Sequence, residues 1–184
     1  MSDATPIVFI VDDDASVRDS LTGLLRGAGL QSEAFRSAPE FLARPRPAVP
    51  CCLVLDARLP SLNGLELHAR IASDRHEMPV IFVPGSFDGV ELLNAVGTAI
   101  ERSRATRAHE ARLGALRELH SSLTRREIEV LALVVAGRLN KQVGGELGIS
   151  ELTVKAHRGQ VMRKMQARSF AHLLDMARGL GYHP

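Results

Sequence analysis

Short apolar runs alternate with amphipathic stretches over the first 83 residues. Residues 7–11 and 52–55 are unbroken apolar runs, a pattern typical of strands that are buried on both faces of a parallel sheet. Residues 31–36 and 79–83 fit two further strands. Predicted helices lie between these strands, at residues 15–28, from a capping box that starts at Ser37, and at residues 63–72. This alternation predicts right-handed crossovers and a doubly wound α/β sheet.

The alternating pattern ends early after the fourth strand. Only residues 84–86 separate that strand from Phe87-Asp88-Gly89, after which apolar positions at helical spacing resume. No room remains for another helix and a fifth strand. The helical pattern continues through residues 101–119, where the large apolar residues are three leucines. That stretch fits either a solvated connector or a short dimer-forming helix.

Residues 122–184 read as short helices that are divided by glycines. Four helices are predicted: one that begins with the capping box Thr124-Arg-Arg-Glu127, one at 141–147 capped by Asn140, one from Ser150 to about Met165, and one at 170–178. A short helix, a tight glycine turn and a longer basic helix form a helix-turn-helix arrangement. The sequence therefore predicts an α/β domain followed by an all-α domain.

Charge divides the chain at about the same place. Residues 1–100 carry a net charge of −5, whereas residues 101–184 carry +7. All three lysines, Lys141, Lys155 and Lys164, lie in the last part. An acidic front and a basic tail suggest a regulatory module that is joined to a nucleic-acid-binding one.

The sequence argues against a membrane protein, a secreted protein and a metabolic enzyme. No run of 18 apolar residues is present, and the N-terminus lacks the positive segment of a signal peptide, so a cytoplasmic location is expected. The adjacent Cys51 and Cys52 open an apolar run and are predicted to be small buried residues. No motif indicates catalysis on a metabolite, so the chain is not predicted to be an enzyme.

Carboxylates follow two strands of the predicted sheet. Asp12, Asp13 and Asp14 come after the first strand, and Asp56 follows the third. Ligands bind at the carboxyl ends of strands in an open α/β sheet, so these groups are expected to converge. Clustered carboxylates repel one another unless a hard cation such as Mg²⁺ neutralises them, and one carboxylate can then act as a nucleophile toward a phosphoryl donor.

The sequence around these aspartates resembles a known family. Residues 7–83 resemble the receiver domain of a two-component response regulator, in the acidic turn at 11–14 and in Leu-Asp-Ala-Arg-Leu-Pro-x-Leu-Asn-Gly at 55–64. The resemblance implies a flavodoxin-like sheet, phosphorylation of Asp56 and a histidine kinase as a possible partner. It also implies that Mg²⁺, where bound, is held by Asp12, Asp13, Asp56 and the backbone carbonyl of Arg58.

The chain departs from that family pattern at the residues that carry the switch. Receivers place Ser or Thr after the fourth strand, where this chain has Pro84. They place a Lys after a fifth strand, which this chain is predicted to lack. Ser86 is one candidate to replace the missing hydroxyl. A phosphoryl group changes the equilibrium between two conformations only if its contacts differ between them. We therefore expect a truncated receiver of about four strands that acts mainly as a phosphorylation-independent dimerisation platform.

The predicted helix that begins after Ser150 has two distinct faces. At 100° per residue, Val154, Val161 and Met165 fall on one side, with His157 at their margin. Opposite them fall Leu152, Lys155, Ala156, Gly159 and Arg163. The first set is expected to face the core and the second set DNA. His157 fits either a core position or a phosphate contact.

This helical module resembles the DNA-binding domain of LuxR/FixJ-type regulators across residues 122–180. The matching motifs are Leu-Thr-x-Arg-Glu-x-Glu-Val-Leu (123–131), Gly-x-x-Asn-Lys-x-Val (137–143) and Leu-Gly-Ile-Ser-x-x-Thr-Val-Lys-x-His (147–157). The resemblance implies a structural role for Glu127. It also implies that Lys141 and Thr153 contact backbone phosphate and that Lys155, His157 and Arg158 lie at the recognition face. The predicted DNA-binding set consists of these residues together with Ala156, Gly159, Arg163 and Lys164.

Together these observations predict a transcriptional regulator with a truncated receiver (1–103), a helical linker (104–121) and a DNA-binding domain (122–184). It is expected to bind double-stranded DNA as a homodimer and to need no cofactor. Three alternatives remain: a regulator switched by phosphorylation of Asp56, an interaction partner that pairs with a full-length relative, and a phosphoryl sink that drains a kinase.

Overall fold

A computed structural model of the chain describes residues 5–45, 47–58, 78–84 and 87–183. The chain falls into two compact units, which divide between Ala108 and His109. Described elements before residue 84 are β1 (Ile7–Val11), α1 (Ala15–Gly27), β2 (Gln31–Phe35), α2 (Ala38–Ala43), β3 (Cys51–Asp56) and β4 (Val80–Val83). They are followed by α3 (Gly89–Ser121), α4 (Arg125–Val135), α5 (Asn140–Leu147), α6 (Glu151–Lys164) and α7 (Phe170–Gly179). The helix predicted at 63–72 and the candidate hydroxyl of Ser86 lie outside the described residues.

The sheet of the first unit is parallel, with strand order β2-β1-β3-β4. Val11 lies opposite Leu55 in the β1–β3 pair, and Asp56 lies opposite Val83 in the β3–β4 pair. The chain order reverses between β1 and β3, which places their carboxyl ends side by side at the switch point. The predicted doubly wound sheet of about four strands is confirmed, with strand ends within about one residue of prediction.

Apolar layers cover both faces of this sheet. On one face Phe9, Phe41 and Leu53 are fully buried and belong to a cluster beneath α2. The opposite face packs against α1 and α3. Cys52 belongs to this second layer and is fully buried, and Cys51 is buried on the α2 side, as the apolar run predicted.

The first half of α3 fills the space beside α1. Leu92, Val96 and Ile100 are buried with Val8 and Val54 of the sheet. Farther along the helix, Ser103 Oγ accepts a hydrogen bond from Cys51 N (3.1 Å). The segment after β4 therefore enters the core directly, with β4 at the edge of the sheet. The predicted linker, residues 104–121, is the second half of this same helix.

The second unit is all α, as predicted, and its helix ends are set by local hydrogen bonds. Thr124 and Glu127 form the predicted capping box: Glu127 N donates to Thr124 Oγ1 (3.3 Å), and Thr124 N donates to Glu127 Oε2 (2.7 Å). Ser150 accepts from Thr153 N at the start of α6 (3.1 Å). These bonds satisfy backbone N–H groups that the first turn of a helix leaves without partners.

The turn between α5 and α6 depends on two glycines. Gly148 ends α5 with φ +65°, in the left-handed region that glycine adopts without steric cost. Gly144 lies so close to the next segment that an added Cβ would be 2.7 Å from the carbonyl oxygen of Ile149. Only a residue without a side chain therefore fits position 144.

The prediction that Asn140 caps α5 is wrong by one position. Leu139 is the N-cap residue, and its N–H donates to Gln142 Oε1 (2.8 Å). Asn140 is the first residue of the helix, and its side chain accepts a hydrogen bond from Arg158 instead. None of the described helices is both long and apolar enough to cross a membrane.

Candidate functional site

An acidic pocket lies at the carboxyl ends of β1 and β3. Carboxylate oxygens of Asp12, Asp13 and Asp56 all lie within 4.8 Å of one another. Asp12 directly follows β1 and Asp56 ends β3, so the parallel register brings the two residues together. A set of oxygen ligands at this separation suits a hard divalent cation, and the three predicted carboxylate ligands are thus brought together. Arg58, whose backbone carbonyl is the remaining predicted ligand, lines the same pocket.

The fourth carboxylate in this region, that of Asp14, caps a helix. Asp14 is the N-cap of α1, where its Oδ1 accepts hydrogen bonds from Ser16 N (2.8 Å) and Ser16 Oγ (2.7 Å). The Ser16 hydroxyl and backbone bonds lower the pKa of Asp14 and keep it ionised. The N–H of Asp14 in turn donates to Asp12 Oδ1 (2.8 Å), which orients that carboxylate within the pocket.

Burial and like charge act together on Asp12. This residue is 5% exposed. Burial raises the pKa of Asp12, and the negative charges of Asp56, Asp13 and Asp14 add to the increase, although the hydrogen bond from Asp14 N opposes it. A bound cation would relieve this repulsion, because it stabilises the ionised form of every carboxylate around it. The chemistry of the donor set therefore fits Mg²⁺.

The rest of the pocket is apolar apart from one arginine. Val17, Val83 and Phe87 line it together with the aspartates and Arg58, around a volume of about 320 Å³. Arg58 N donates to Asp56 Oδ1 (3.0 Å), and Arg58 Nε lies 3.7 Å from the same oxygen. Among the described residues that line the pocket, none carries a hydroxyl or an ammonium group.

The exposed face of α6 agrees with the predicted face. Val154, Val161 and Met165 are at most 1% exposed and belong to the core of the second unit. The exposed positions on the other side are Leu152, Lys155, Ala156, Gly159 and Arg163. His157 and Thr153 are half-buried between the two faces. The Thr153 hydroxyl lies 2.8 Å from Ser150 Oγ, so this side chain takes part in the cap of the helix.

Lys164, from the predicted DNA-binding set, is engaged inside the domain. Its Nζ donates to Glu127 Oε2 (2.7 Å) and to the carbonyl oxygen of Ser122 (3.1 Å). Burial opposes the ionisation of Glu127, but hydrogen bonds from Lys164 and Thr124 outweigh it and hold the pKa of Glu127 below its ordinary value. This geometry supports the structural role predicted for Glu127 and gives Lys164 a structural role as well.

Arg158 is also tied to its own domain. Its Nη1 donates to Asn140 Oδ1 (2.5 Å), and its guanidinium carbon lies 5.4 Å from the centroid of the Phe170 ring. Arg158 therefore joins α6 to the first residues of α5 and α7. Together with the exposed Lys141, these residues line a cavity of about 470 Å³. Lys141 thus lies beside the recognition helix, where a phosphate contact was predicted.

Sequence reasoning did not identify these two structural clusters. Lys164 and Glu127 are 37 positions apart, and Arg158 and Asn140 are 18 apart. The partners of each pair lie on different helices, so no periodicity within one helix connects them. A charged pair at such a distance becomes visible only when packing joins the helices. The role of each residue of the predicted DNA-binding set remains a prediction.

Two family models match the chain. Residues 8–101 match the response regulator receiver domain, and residues 121–177 match the bacterial regulatory proteins of the luxR family. Nodulation protein W of Bradyrhizobium diazoefficiens is 43% identical over 196 residues, which cover 95% of this chain and 86% of that protein. Response regulator protein TodT of Pseudomonas putida is 35% identical over 201 residues, which cover 98% of this chain and 88% of TodT.

A solved structure and a further relative support the same assignment. The structure of the response regulator StyR matches with a TM-score of 0.82 at 38% identity, over 95% of this chain and 99% of StyR. The transcriptional regulatory protein FixJ of Rhizobium meliloti is 33% identical over its whole length and the whole of this chain. That alignment spans 205 positions against 184 residues here, so at least 21 of its positions have no counterpart in this chain.

Proposed function

This chain belongs to the LuxR/FixJ-type transcriptional response regulators, and from that premise we propose that its receiver holds a DNA-binding dimer together without phosphorylation. Regulators of this family bind DNA, and a histidine kinase phosphorylates their receivers. The observation that carries the proposal is the contrast between the two units. The DNA-binding unit retains an exposed basic face on α6, whereas none of the described residues that line the receiver pocket carries a hydroxyl or ammonium group that would report a phosphoryl group.

The receiver pocket supports the proposal that phosphorylation is not required. A phosphoryl group on Asp56 would meet the side chains of Val83 and Phe87, which cannot donate hydrogen bonds to it. The position after β4 is Pro84, and the first lysine of the sequence is Lys141. Phosphorylation changes a conformational equilibrium only through contacts that differ between the two states. A weakened switch is the expected consequence.

Among the described residues, β4 pairs with a strand on one side only, and this edge supports the proposed dimer. Leu53 N donates to Pro79 O (2.9 Å) and Ala57 N donates to Val83 O (3.2 Å), so the carbonyl groups of Pro79, just before β4, and of Val83, at its end, point toward β3. Alternation turns the N–H and C=O groups of Val80 and Phe82 outward, and Phe82 is 48% exposed.

An antiparallel second copy would satisfy this edge. A twofold axis at Ile81 would place Val80 opposite Phe82 of the other copy, so that the outward groups exchange hydrogen bonds. The strand contains no charged residue to discourage such pairing. The shortfall of at least 21 positions against FixJ agrees with the loss of a helix and strand that would otherwise cover β4.

One observation favours a second candidate function, a switch through Asp56. The metal-binding trio is complete, and the Arg58 guanidinium lies beside the acceptor carboxylate. Arginine forms charge-assisted hydrogen bonds to phosphoryl oxygens. Arg58 could thereby supply the positive charge that a lysine supplies in other receivers.

Light scattering of the purified full chain over a concentration range separates these functions. If the dimer proposal is correct, the wild-type chain has the mass of a dimer before and after treatment with acetyl phosphate and Mg²⁺. The Asp56→Asn variant is expected to have the same mass. Phe82→Lys, which places a charge on the free edge, is expected to give monomers. A monomer that dimerises only with acetyl phosphate and Mg²⁺ would support the switch. A monomer under both conditions would contradict both and favour pairing with a relative.

DNA binding is measured separately, by selection of duplexes from a randomised library. Lys155→Ala is expected to weaken binding to the selected duplexes and, if Lys155 contacts phosphate, to reduce the slope of log affinity against log salt by about 1. Glu91→Ala, an exposed substitution in the first unit, is the control and is expected to leave both quantities unchanged. Failure of the wild-type chain to enrich any duplex would contradict the proposal.

A further inference from the structure

Leu152 is a large apolar side chain at the start of the recognition helix, and it is 77% exposed. Among the exposed large hydrophobic residues in the described part of the chain, it has the highest exposure. We propose that Leu152 reads the C5-methyl group of thymine in the major groove, with Ala156 one turn later on the same face. This inference rests on the proposed DNA binding and names a specificity-determining residue within it.

The hydrogen-bonding capacity of this part of the helix is small. Ala156 and Gly159 offer no side-chain donors or acceptors, and Thr153 shares its hydroxyl with Ser150 at the helix cap. Arg158 is held by Asn140. Lys155 projects from the exposed face and contacts Glu151 (3.5 Å), an exposed pair that is easily exchanged for DNA acceptors.

A base edge suited to this face must combine an apolar group with a nearby acceptor. In the major groove the four bases present nitrogen and oxygen atoms, and the C5-methyl group of thymine is the apolar group among them. The net charge of +7 over residues 101–184 favours an anionic partner over an apolar protein surface. Leu152 and Ala156 would cover the methyl group while the Lys155 ammonium reaches O4 of thymine or N7 and O6 of a neighbouring guanine.

The first experiment selects duplexes from a randomised library with three forms of the full chain. The wild type is expected to enrich a thymine at one or more fixed positions of each half-site. Leu152→Ala is expected to lose the preference at such a position while it keeps the others. Leu139→Ala is the matched control, because Leu139 is 71% exposed in the same unit but lies outside α6. It is expected to retain the wild-type preference.

The second experiment tests the methyl group itself. Deoxyuridine replaces that thymine in a selected duplex, which removes one methyl group and leaves the hydrogen-bonding atoms in place. Wild-type affinity is expected to fall about fourfold, the value for burial of a single methylene-sized group, whereas Leu152→Ala is expected to bind the two duplexes equally. Unfolding followed by tyrosine fluorescence confirms that the variant is folded.

Two outcomes would overturn the inference. If wild-type binding to a selected duplex is unaffected by deoxyuridine at every thymine, no methyl group is read. If Leu152→Ala shows the same fourfold loss as the wild type, another residue reads it. In both cases DNA binding itself would stand. Failure to enrich any duplex would instead contradict the proposed DNA binding and this inference together.

Discussion

Replacement of Lys164 by methionine tests the structural role that the fold gives to a residue predicted to bind DNA. Methionine keeps most of the length of the side chain and removes the ammonium group. Glu127 is 5% exposed, and it would lose its charged partner while its bond from Thr124 N remained. We expect the second unit to be destabilised because a buried carboxylate would be left without a compensating charge.

The magnitude follows from burial. Removal of one partner from a fully buried ion pair costs about 3–5 kcal/mol. The Lys164 side chain is 28% exposed, so water can reach part of the vacated space. We therefore expect a loss of about 2 kcal/mol in the free energy of unfolding, which corresponds to about 8–16 °C in Tm for a unit of this size.

The chain offers a clean assay for this unit. Tyr182 is the single tyrosine and no tryptophan is present, so intrinsic fluorescence reports on the second unit alone. The Tyr182 hydroxyl lies 2.7 Å from His120 Nε2, a contact that unfolding breaks. Urea unfolding at pH 7, followed by this fluorescence, measures the loss directly. Lys155→Met is the matched control, since Lys155 lies in the same helix but is exposed. It is expected to change stability by less than about 0.5 kcal/mol.

The pH dependence provides an independent check. The pKa of Glu127 is lowered in the folded state, so the unfolded state binds a proton more readily. Its contribution to stability is therefore complete above the ordinary glutamate pKa and is lost as the pH falls through the lowered value. Glu127→Gln should remove this contribution to the slope of stability against pH. A Lys164→Met protein with the wild-type midpoint, or an unchanged slope in Glu127→Gln, would refute the reasoning.

Three further predictions follow from local geometry. Gly144→Ala should destabilise the second unit by about 1–3 kcal/mol, because its Cβ would lie 2.7 Å from Ile149 O, whereas Gly145→Ala meets no atom within 4 Å and should be neutral or stabilising in urea unfolding. Cys52, whose pKa burial raises to about 12, should resist iodoacetamide at pH 8 until the first unit unfolds; rapid labelling of the native protein would contradict this. Asp14→Ala should cost about 1 kcal/mol by loss of the α1 cap yet retain Mg²⁺-dependent phosphorylation of Asp56; complete loss of phosphorylation would contradict the separation of these roles.

Local patterns were enough to predict the elements and the acidic pocket. The apolar run that ends at Val11 and the one that ends at Leu55 are parallel strands in register, and this register brings Asp12 and Asp56 together. The exposed face of α6 was predicted for a similar reason. Helical periodicity alone separates the buried Val154 from the exposed Leu152 and Lys155.

Tertiary structure decided what the polar side chains do. The predicted DNA-binding set includes Arg158 and Lys164, but packing ties Arg158 to Asn140 and Lys164 to Glu127. It also placed α3 against α1, although the sequence left open where the last receiver helix would lie. The sequence by itself determined the periodicity and the succession of helices and strands along the chain, because these depend on neighbours along the chain. Only the tertiary structure could decide the partner of each charged group, because that depends on contacts between residues far apart in sequence.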